Sequence, residues 1–283
     1  MARVDDKSEM NLSMTNRNIF DPDADPKRFE FWMRDQSPLK VYSILFTPRS
    51  GSSWLTSILT QTKAMGTPGE WFNPQLMPAS SRSKGARNLD EFIEAISRLR
   101  AYGSIFGFEV TYHQIRAVFE TDENFMARFQ KAVFFWLVRK DIIAQGVSLD
   151  KMVQTQASHA ADHDVHAIES SDNVYSNDGD RIRRWIGHIR AAELGTEHMI
   201  SVFDLSPVRL TYEEITSWGP QRVVKLFADR LGVEDVTLLD ISSDHRKIGT
   251  SKNDEFSKRF RAENPEFVRK LEDERESMFR GGA

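Results

Sequence analysis

The sequence predicts an α/β fold in which a central, mostly parallel sheet is flanked by helices. Short apolar runs at residues 41–47, 104–111 and 132–138 are each followed by a polar turn and then by a segment with helical spacing. Consecutive strand–turn–helix units form parallel sheets, because the helix carries the chain back to the start of the next strand. With 283 residues, of which 40% are hydrophobic, the chain can bury a substantial core.

The first half of the chain holds the first two of these units. We expect a short helix at 26–33, the first strand at 41–47, and a helix from 53 to about 63 whose apolar residues share one face. Residues 72–87 are rich in proline, serine and lysine and are predicted to form a loop. Asn88 is predicted to cap the next helix, because an asparagine side chain satisfies free amide groups at a helix start.

The second half repeats the pattern around the most apolar strand, 132–138. The remaining predicted elements are a helix at 123–130, a helix from 141 through 152, an amphipathic helix at 180–194, a strand at 208–212 and a helix at 220–231. The tail is predicted to be basic at first and then a charged helix, whereas 157–180 has no apolar period. We expect one domain over 39–283, preceded by an N-terminal extension, 1–38, that is partly disordered.

Composition and charge exclude several classes of protein. The net charge is −4, so any anion site must be a local concentration of positive groups rather than a property of the whole surface. The absence of cysteine excludes disulfides, thiolate metal sites and cysteine nucleophiles. No apolar run approaches the roughly 20 residues of a membrane span, and the polar N-terminus lacks the core of a signal peptide. We expect a soluble, cytoplasmic protein without stable membrane insertion.

The turn after the first strand is a candidate anion site. A strand that ends in a Gly/Ser turn and opens a helix directs several N–H groups and the positive helix end at one point. The residues that would form this site are Arg49, Ser50, Gly51, Ser52 and Ser53. The turn has one glycine and no following lysine, so it departs from the nucleotide motif G-x-x-x-x-G-K-[ST] of ATPases. The alternative is an ordinary serine-rich turn.

A second candidate anion contact follows the most apolar strand. Arg139 stands at the carboxyl end of that strand, where ligands bind in open parallel sheets. Ser148 lies two to three helical turns further on, and an arginine with a serine hydroxyl suits a phosphate. The alternative is a surface ion pair between Arg139 and Asp141. The residues alone leave both interpretations open.

Glu70 is the candidate general base. It follows a Gly-Thr-Pro-Gly turn and precedes Trp71 and Phe72, which would strip it of solvent and raise its pKa. Taken in isolation, an exposed glutamate at a helix start is the favoured alternative. His113, near the end of the second strand, is a rival base.

Two further groups of residues carry weaker signals. His159, His163 and His166 have helical spacing, but their surroundings resemble a loop without a well-placed carboxylate, so a metal site is disfavoured. Lys247 and Lys252 belong either to a solvated basic face or to a flap that closes over phosphates. No segment interleaves basic and aromatic residues as nucleic-acid modules do, so we expect no nucleic-acid partner.

Read together, these segments resemble the sulfotransferases that use 3′-phosphoadenosine 5′-phosphosulfate (PAPS), and in particular the bacterial Stf-zero type, which includes trehalose 2-sulfotransferase. The resemblance lies in five blocks that keep their order along the chain: TPRSGSS (47–53), GTPGEWF (66–72), GFEVTYHQ (107–114), LVRKDIIAQGVSL (137–149) and SKNDEFSKRFRAE (251–263). It implies a P-loop-like three-layer fold with a central, mostly parallel sheet.

The resemblance also implies roles for the candidate residues. The turn from Arg49 to Ser53 would hold the 5′-phosphosulfate, with Arg49 also steadying the transferring group. Arg139 and Ser148 would hold the 3′-phosphate, and the region 247–252 would close over the donor. Glu70 matches the glutamate that is thought to act as base in the trehalose enzyme. The product would be 3′-phosphoadenosine 5′-phosphate (PAP), and no metal would be needed.

The acceptor is expected to be an alcohol on a sugar or glycolipid. The residues expected to contact it are Thr67, Trp71, Phe72, His113 and Gln114. Thr67 stands where trehalose enzymes are expected to have an acidic residue, and 157–180 has no match, so trehalose itself is not assumed. Two alternatives remain: an ATP-dependent P-loop-like kinase and a non-catalytic PAP- or glycan-binding relative. A homodimer is compatible with the family.

Overall fold

The computed structural model describes residues 19–155, 171–234, 236, 241–242 and 250–279. The strands are β1 (Lys40–Phe46), β2 (Ile105–Val110), β3 (Val133–Val138) and β4 (Val208–Thr211). The helices of the first half are α1 (Pro26–Trp32), α2 (Ser52–Gln61), α3 (Met77–Lys84), α4 (Leu89–Arg100), α5 (Tyr112–Val118), α6 (Asp122–Phe129) and α7 (Ile142–Thr155). Those of the second half are α8 (Gly179–Val202), α9 (Tyr212–Trp218), α10 (Pro220–Leu231), α11 (Ser251–Glu263) and α12 (Pro265–Arg275), with a short 3-10 helix at Glu276–Phe279.

The four strands form one parallel sheet in the order β2-β1-β3-β4. This confirms the predicted α/β fold with a parallel sheet flanked by helices. The carboxyl ends of all four strands therefore meet at one edge of the sheet, and the turns that follow them are neighbours.

Side chains alternate between two helical layers along each strand. On β1, Tyr42, Ile44 and Phe46 pack with α2 and α10, whereas Leu45 packs with the aromatic cluster under α4 and α6. A third cluster joins α7, α8, α11 and α12. Both faces of the sheet are thus covered, which is why its strands are apolar throughout rather than alternately polar.

The prediction of a loop over 72–87 was wrong in part, because α3 occupies Met77–Lys84. Pro78 stands in the first turn, where its missing N–H costs nothing, and Gly85 ends the helix with a φ of 70°. The composition concealed this helix, since its proline and its three serines are poor helix signals. Met77, Ser81 and Lys84 are nevertheless buried against the body of the protein.

Two predicted boundaries also shift. The amphipathic helix that we expected at 180–194 continues to Val202 and forms one 24-residue helix, α8. The charged tail forms two helices, α11 and α12, that are separated at Asn264. None of the helices in the described residues combines the length and the apolar character that crossing a membrane requires.

The domain boundary at residue 38 stays a prediction. Within the extension, Ile19 is buried and its carbonyl accepts a hydrogen bond from the Ser81 hydroxyl at 3.1 Å. The described part of the extension is therefore packed on the body. The disorder that we expect at the start of the chain falls on residues outside those described.

Candidate active site

The turn between β1 and α2 is held in a strained, close-packed conformation. Arg49 has a φ of 67° and Gly51 a φ of 89°, both in the left-handed region. A Cβ atom on Gly51 would lie 2.7 Å from Cδ2 of Tyr212, so only glycine fits there. Left-handed backbone at a non-glycine residue costs free energy and is concentrated at functional sites. Arg49 therefore marks this turn as a candidate site.

A buried glutamine on α7 fixes the turn from the other side. The Gln145 side-chain amide donates to Oγ1 of Thr47 at 2.9 Å and to the carbonyl of Pro48 at 2.7 Å. Gln145 is fully buried, so these bonds are shielded from water. The sequence did not single this residue out, because a glutamine within a helix carries no motif of its own.

The serines of the turn supply polar groups at the start of α2. Ser50 is fully buried, and its hydroxyl has no hydrogen-bond partner among the described residues. Ser52 and Ser53 form the first turn of α2, whose free N–H groups and dipole favour an anion. A buried hydroxyl without a partner is costly unless something else binds it. These features fit an anion at the turn.

Arg49, Ser148 and Arg139 come together at the carboxyl edge of the sheet. Nε of Arg49 donates to the Ser148 hydroxyl at 3.0 Å. The Arg139 guanidinium lies over the ring of Tyr212, 4.8 Å from its centre. The turn that carries Arg49 packs on the same ring at Gly51, and the pKa of Arg49 is lowered by burial and, in second place, by the positive charge of Arg139. Like charges brought together in this way attract an anion.

The alternative of an Arg139–Asp141 ion pair is not what the structure shows. Asp141 pairs with Arg261 of α11 at 2.7 Å. Nε of Arg139 is buried and has no hydrogen-bond partner in the described part of the chain. The guanidinium of Arg139 is thus held over Tyr212 without a carboxylate among these contacts.

Glu70 is half-buried and has a defined orientation. Its Oε2 accepts hydrogen bonds from Nε2 of Gln114 at 2.6 Å and from Nδ2 of Asn73 at 3.1 Å. The Gln114 amide is fixed in turn, because its Oε1 accepts from the backbone N–H of Thr111 at 2.9 Å in the capping box of α5. Gln114, which we expected to bind the acceptor, therefore positions the Glu70 carboxylate.

Glu109 is a second carboxyl group at this place, and the sequence did not single it out. It is 4% exposed on β2, and its backbone N–H donates to the carbonyl of Gly69 at 3.0 Å. Its side chain is hydrogen-bonded by Ser52. Burial, and then the negative charge of Glu70, raise the pKa of Glu109 to about 8. The available signal was an acidic residue inside the apolar strand IFGFEV.

The residues around Glu70 that we expected to contact the acceptor lie in different environments. Thr67 donates from its N–H and its hydroxyl to the carbonyl of Arg100, and the Trp71 ring packs under the Arg100 guanidinium at 4.3 Å. Phe72 is fully buried and packs edge-on against Phe108 with ring centres 5.0 Å apart. Phe72 is a core residue here, so an acceptor contact would need it to leave the core.

His113 forms a stacked pair with His188 of α8. The ring centres are 4.0 Å apart, and Nε2 of His113 lies 3.0 Å from the His188 carbonyl, to which it can only donate. Burial, and then the neighbouring His113, lower the pKa of His188 to about 4. A ring nitrogen committed to a carbonyl cannot accept a proton, so this geometry favours Glu70 over Nε2 of His113 as the base.

The remaining predicted residues lie elsewhere or outside the described chain. Nζ of Lys252 donates to the carbonyl of Asp172 and lies 5.7 Å from the centre of the Phe256 ring. These contacts do not join it to Arg49 or Arg139. Lys247 lies outside the described residues, as do the three histidines at 159, 163 and 166. In the part that is described, no group of three potential metal ligands occurs.

Comparison with known proteins identifies a family for the chain. The family model of the Stf0 sulphotransferases matches residues 41–263. A sulfotransferase from Alicyclobacillus acidocaldarius is 14% identical, with 79% of this chain and 92% of that chain covered and a TM-score of 0.45. The sulfotransferase domain from the curacin biosynthetic pathway is also 14% identical, with coverages of 81% and 99% and a TM-score of 0.44. No curated protein matches significantly in sequence.

The two structural likenesses are weak, and the sequence match over 41–263 carries the assignment. The matched region contains the turn at Arg49, the carboxylates Glu70 and Glu109, and the edge residue Arg139. The chain belongs to the Stf0 sulphotransferase family and is a sulfotransferase.

Proposed function

We propose that this sulfotransferase takes a sulfuryl group from PAPS and transfers it to a hydroxyl of a carbohydrate or glycolipid. The observation that carries the choice of donor is the packing of two basic segments on Tyr212 at the edge of the sheet: the Arg139 guanidinium lies 4.8 Å from the ring centre, and the turn that carries Arg49 packs on the same ring at Gly51. Two guanidinium groups from two different strand ends suit a donor that is an anion at both of its ends. The family fixes sulfuryl transfer, while the donor and acceptor are our inference.

The donor would lie across the carboxyl edge of the sheet. Its 5′-phosphosulfate would meet the turn from Arg49 to Ser53, where the unpartnered Ser50 hydroxyl and the start of α2 offer donors. Its 3′-phosphate would meet Arg139 and Ser148. The Ser148 oxygen accepts from Arg49, so its own proton remains available to a phosphate oxygen.

Glu70 would act as the general base. Both hydrogen bonds to its carboxylate fall on Oε2, which leaves Oε1 to receive the acceptor proton. The acceptor oxygen forms a bond to sulfur while the bond from sulfur to the 5′-phosphate oxygen breaks, and PAP leaves. As in phosphoryl transfer, catalysis then consists of positioning and of fixed donors around the spreading charge. The mechanism requires no metal.

Calorimetry with PAP and with ATP tests the donor. We expect PAP to bind with clearly higher affinity than ATP, because Arg139 and Ser148 would recognise the 3′-phosphate that ATP lacks. Equal affinity for the two nucleotides, or tighter binding of ATP, would refute the assignment of the donor. The alternative hypothesis of an ATP-dependent kinase would then be favoured.

The acceptor class needs a separate experiment. Radiolabelled PAPS can be offered with panels of sugars, glycolipids, phenols and steroid alcohols, and the labelled product resolved by chromatography. We expect transfer to sugar hydroxyls, in line with the resemblance to the trehalose-type enzymes. Exclusive labelling of phenols or steroids would refute the carbohydrate acceptor and leave the choice of donor intact.

A further inference from the structure

Glu109 connects the turn before α2 to the segment that carries Glu70. It lies near the end of β2 on the face covered by α2, the same face as Ile105 and Tyr42. Its side chain contacts the Ser52 hydroxyl, and its backbone N–H holds the Gly69 carbonyl at 3.0 Å. Among the described residues, its Oε2 is buried and has no hydrogen-bond partner. A carboxyl group in this position touches both halves of the site.

The charges that face Glu109 are negative or neutral. The segment between α2 and α3 presents Glu70, and β1 presents the phenol of Tyr42, whose own pKa is raised by burial and by Glu109. The nearest group of α2 is the uncharged Ser52, and the sequence of that helix contains no charged residue. The negative charge of Glu70 therefore adds to burial in favouring a protonated Glu109.

The direction of the Ser52–Glu109 hydrogen bond depends on whether the Glu109 carboxyl group carries a proton. Towards an ionised Glu109, the Ser52 hydroxyl must donate its only proton. Towards a protonated Glu109, Ser52 can accept instead, and its own proton is free to turn to an anion at the start of α2. Protonation of Glu109 therefore adds one donor to the turn and removes one negative charge beneath it.

We propose that Glu109 is a positioning residue of the transfer reaction that takes up a proton when the anionic donor binds, and thereby turns the Ser52 hydroxyl towards the donor. This inference rests on the proposed PAPS site and adds a residue to it. The neutral acid tolerates the donor anion, whereas the ionised form repels it and withholds the Ser52 proton. Raising the pH should consequently weaken donor binding through Glu109.

The test is calorimetry of PAP binding in two buffers with different ionisation enthalpies, which measures the protons taken up. Near pH 8 we expect the wild type to take up a large fraction of a proton and Glu109→Gln to take up much less. Between about pH 7 and pH 9 the affinity of the wild type should fall by roughly tenfold, because one pKa unit corresponds to a factor of ten. The affinity of Glu109→Gln should stay nearly constant, since the amide cannot ionise.

Two further variants complete the experiment. Glu94→Gln, which removes an exposed carboxylate paired with Arg98 on α4, should behave as the wild type. Glu70→Gln should shift the loss of affinity to lower pH, because the charge that favours protonation of Glu109 is gone. Equal proton uptake by the wild type and Glu109→Gln would overturn the inference. Failure of the wild type to bind PAP would refute the proposed donor site itself.

Infrared spectroscopy of the wild type covers the case in which Glu109→Gln does not fold. Exposed carboxylates are ionised at neutral pH, so a carboxylic-acid carbonyl band at about pH 7 reports a buried protonated group. We expect such a band, we expect it to disappear as the pH rises past 8, and we expect PAP to restore it. If the carbonyl band is absent at neutral pH, or if PAP does not restore it at high pH, the inference is overturned.

Discussion

Arg275 and Glu193 form a two-point ion pair that is shielded from solvent on both sides. Nε and Nη2 of Arg275 donate to the two carboxylate oxygens at 2.9 and 2.7 Å, and the two side chains are 1% and 0% exposed. The same guanidinium donates to the carbonyls of Arg139 and Lys140, both at 2.7 Å. The helix α12 thus holds the backbone of the turn that carries Arg139.

Replacing Arg275 should therefore weaken both folding and donor binding. In Arg275→Ala the buried Glu193 carboxylate keeps its ion pair with Arg190 at 3.3 Å, so the loss of unfolding free energy should stay below the roughly 3–5 kcal/mol that an uncompensated buried charge costs. Arg275→Lys keeps the charge but loses the planar fork, so it should recover only part of the stability. Denaturant unfolding measures the first effect and PAP calorimetry the second. Arg269→Ala, on an exposed position of the same helix, is the control.

Arg139→Ala should reduce PAP affinity without reducing stability appreciably. Loss of a charge-assisted hydrogen bond to phosphate costs about 1.5–3 kcal/mol, or roughly tenfold to a hundredfold in affinity. The folded protein loses the contact with Tyr212 but also the repulsion between Arg139 and Arg49, and these effects oppose each other. Calorimetry and thermal unfolding report the two quantities. Arg222→Ala, an exposed arginine over Trp218, is the matched control.

Unchanged PAP affinity in Arg139→Ala would remove this residue from the donor site. A large loss of stability with the affinity preserved would show instead that the arginine serves the fold.

At a pH where Glu109 is protonated with or without Glu70, Glu70→Gln should bind PAP normally and lose most of its turnover. The amide is nearly isosteric but cannot take the acceptor proton, and general-base catalysis contributes about 10²–10⁴ in rate. Single-turnover transfer of labelled sulfate measures the effect at saturating donor. Turnover close to that of the wild type would exclude Glu70 as the base. The matched control is Glu94→Gln, which alters a carboxylate on the surface of α4.

The orientation of Glu70 gives a companion test. Gln114→Ala removes the 2.6 Å hydrogen bond to Oε2 but leaves the base itself in place. We expect a smaller loss of turnover than in Glu70→Gln, since misplacement costs less than removal of the base. A loss in Gln114→Ala that equals the loss in Glu70→Gln would mean that the carboxylate is unable to act without its support.

The sequence predicted what depends on local pattern. The four strands lie within one or two residues of the apolar runs, because a buried parallel strand must be apolar and short. The helix α3 was missed, because proline and serine are weak helix signals and the burial that stabilises this helix is not visible in a local pattern. The turn at Arg49 was visible because its glycine and serines are contiguous.

What the sequence could not predict was pairing between distant residues. Glu193 and Arg275 are 82 positions apart, and each has the appearance of a solvated charge on an amphipathic helix. Glu109 has the appearance of an interruption in an apolar strand until the sheet order brings it beside Ser52 and Glu70. Such contacts depend on the strand order and on how the helices pack, neither of which a local pattern contains.

Glu109 also predicts how the stability of the protein varies with pH. Its pKa rises from 4.5 in the unfolded chain to about 8 in the folded protein, mainly through burial. The folded state thus binds this proton more tightly, so its contribution to stability is complete below about pH 4.5 and is lost as the pH rises to about 8. In Glu109→Gln this loss is absent, because the amide stays neutral throughout.

The unfolding free energy of Glu109→Gln relative to the wild type should therefore increase by at least about 1.4 kcal/mol between pH 5 and pH 9. Urea unfolding at several pH values measures the difference, and the other titrating groups largely cancel because both proteins carry them. A difference that is independent of pH would mean that Glu109 is already ionised at pH 5. A difference that shrinks with pH would mean that the folded state stabilises the charged form, contrary to its burial beside Glu70.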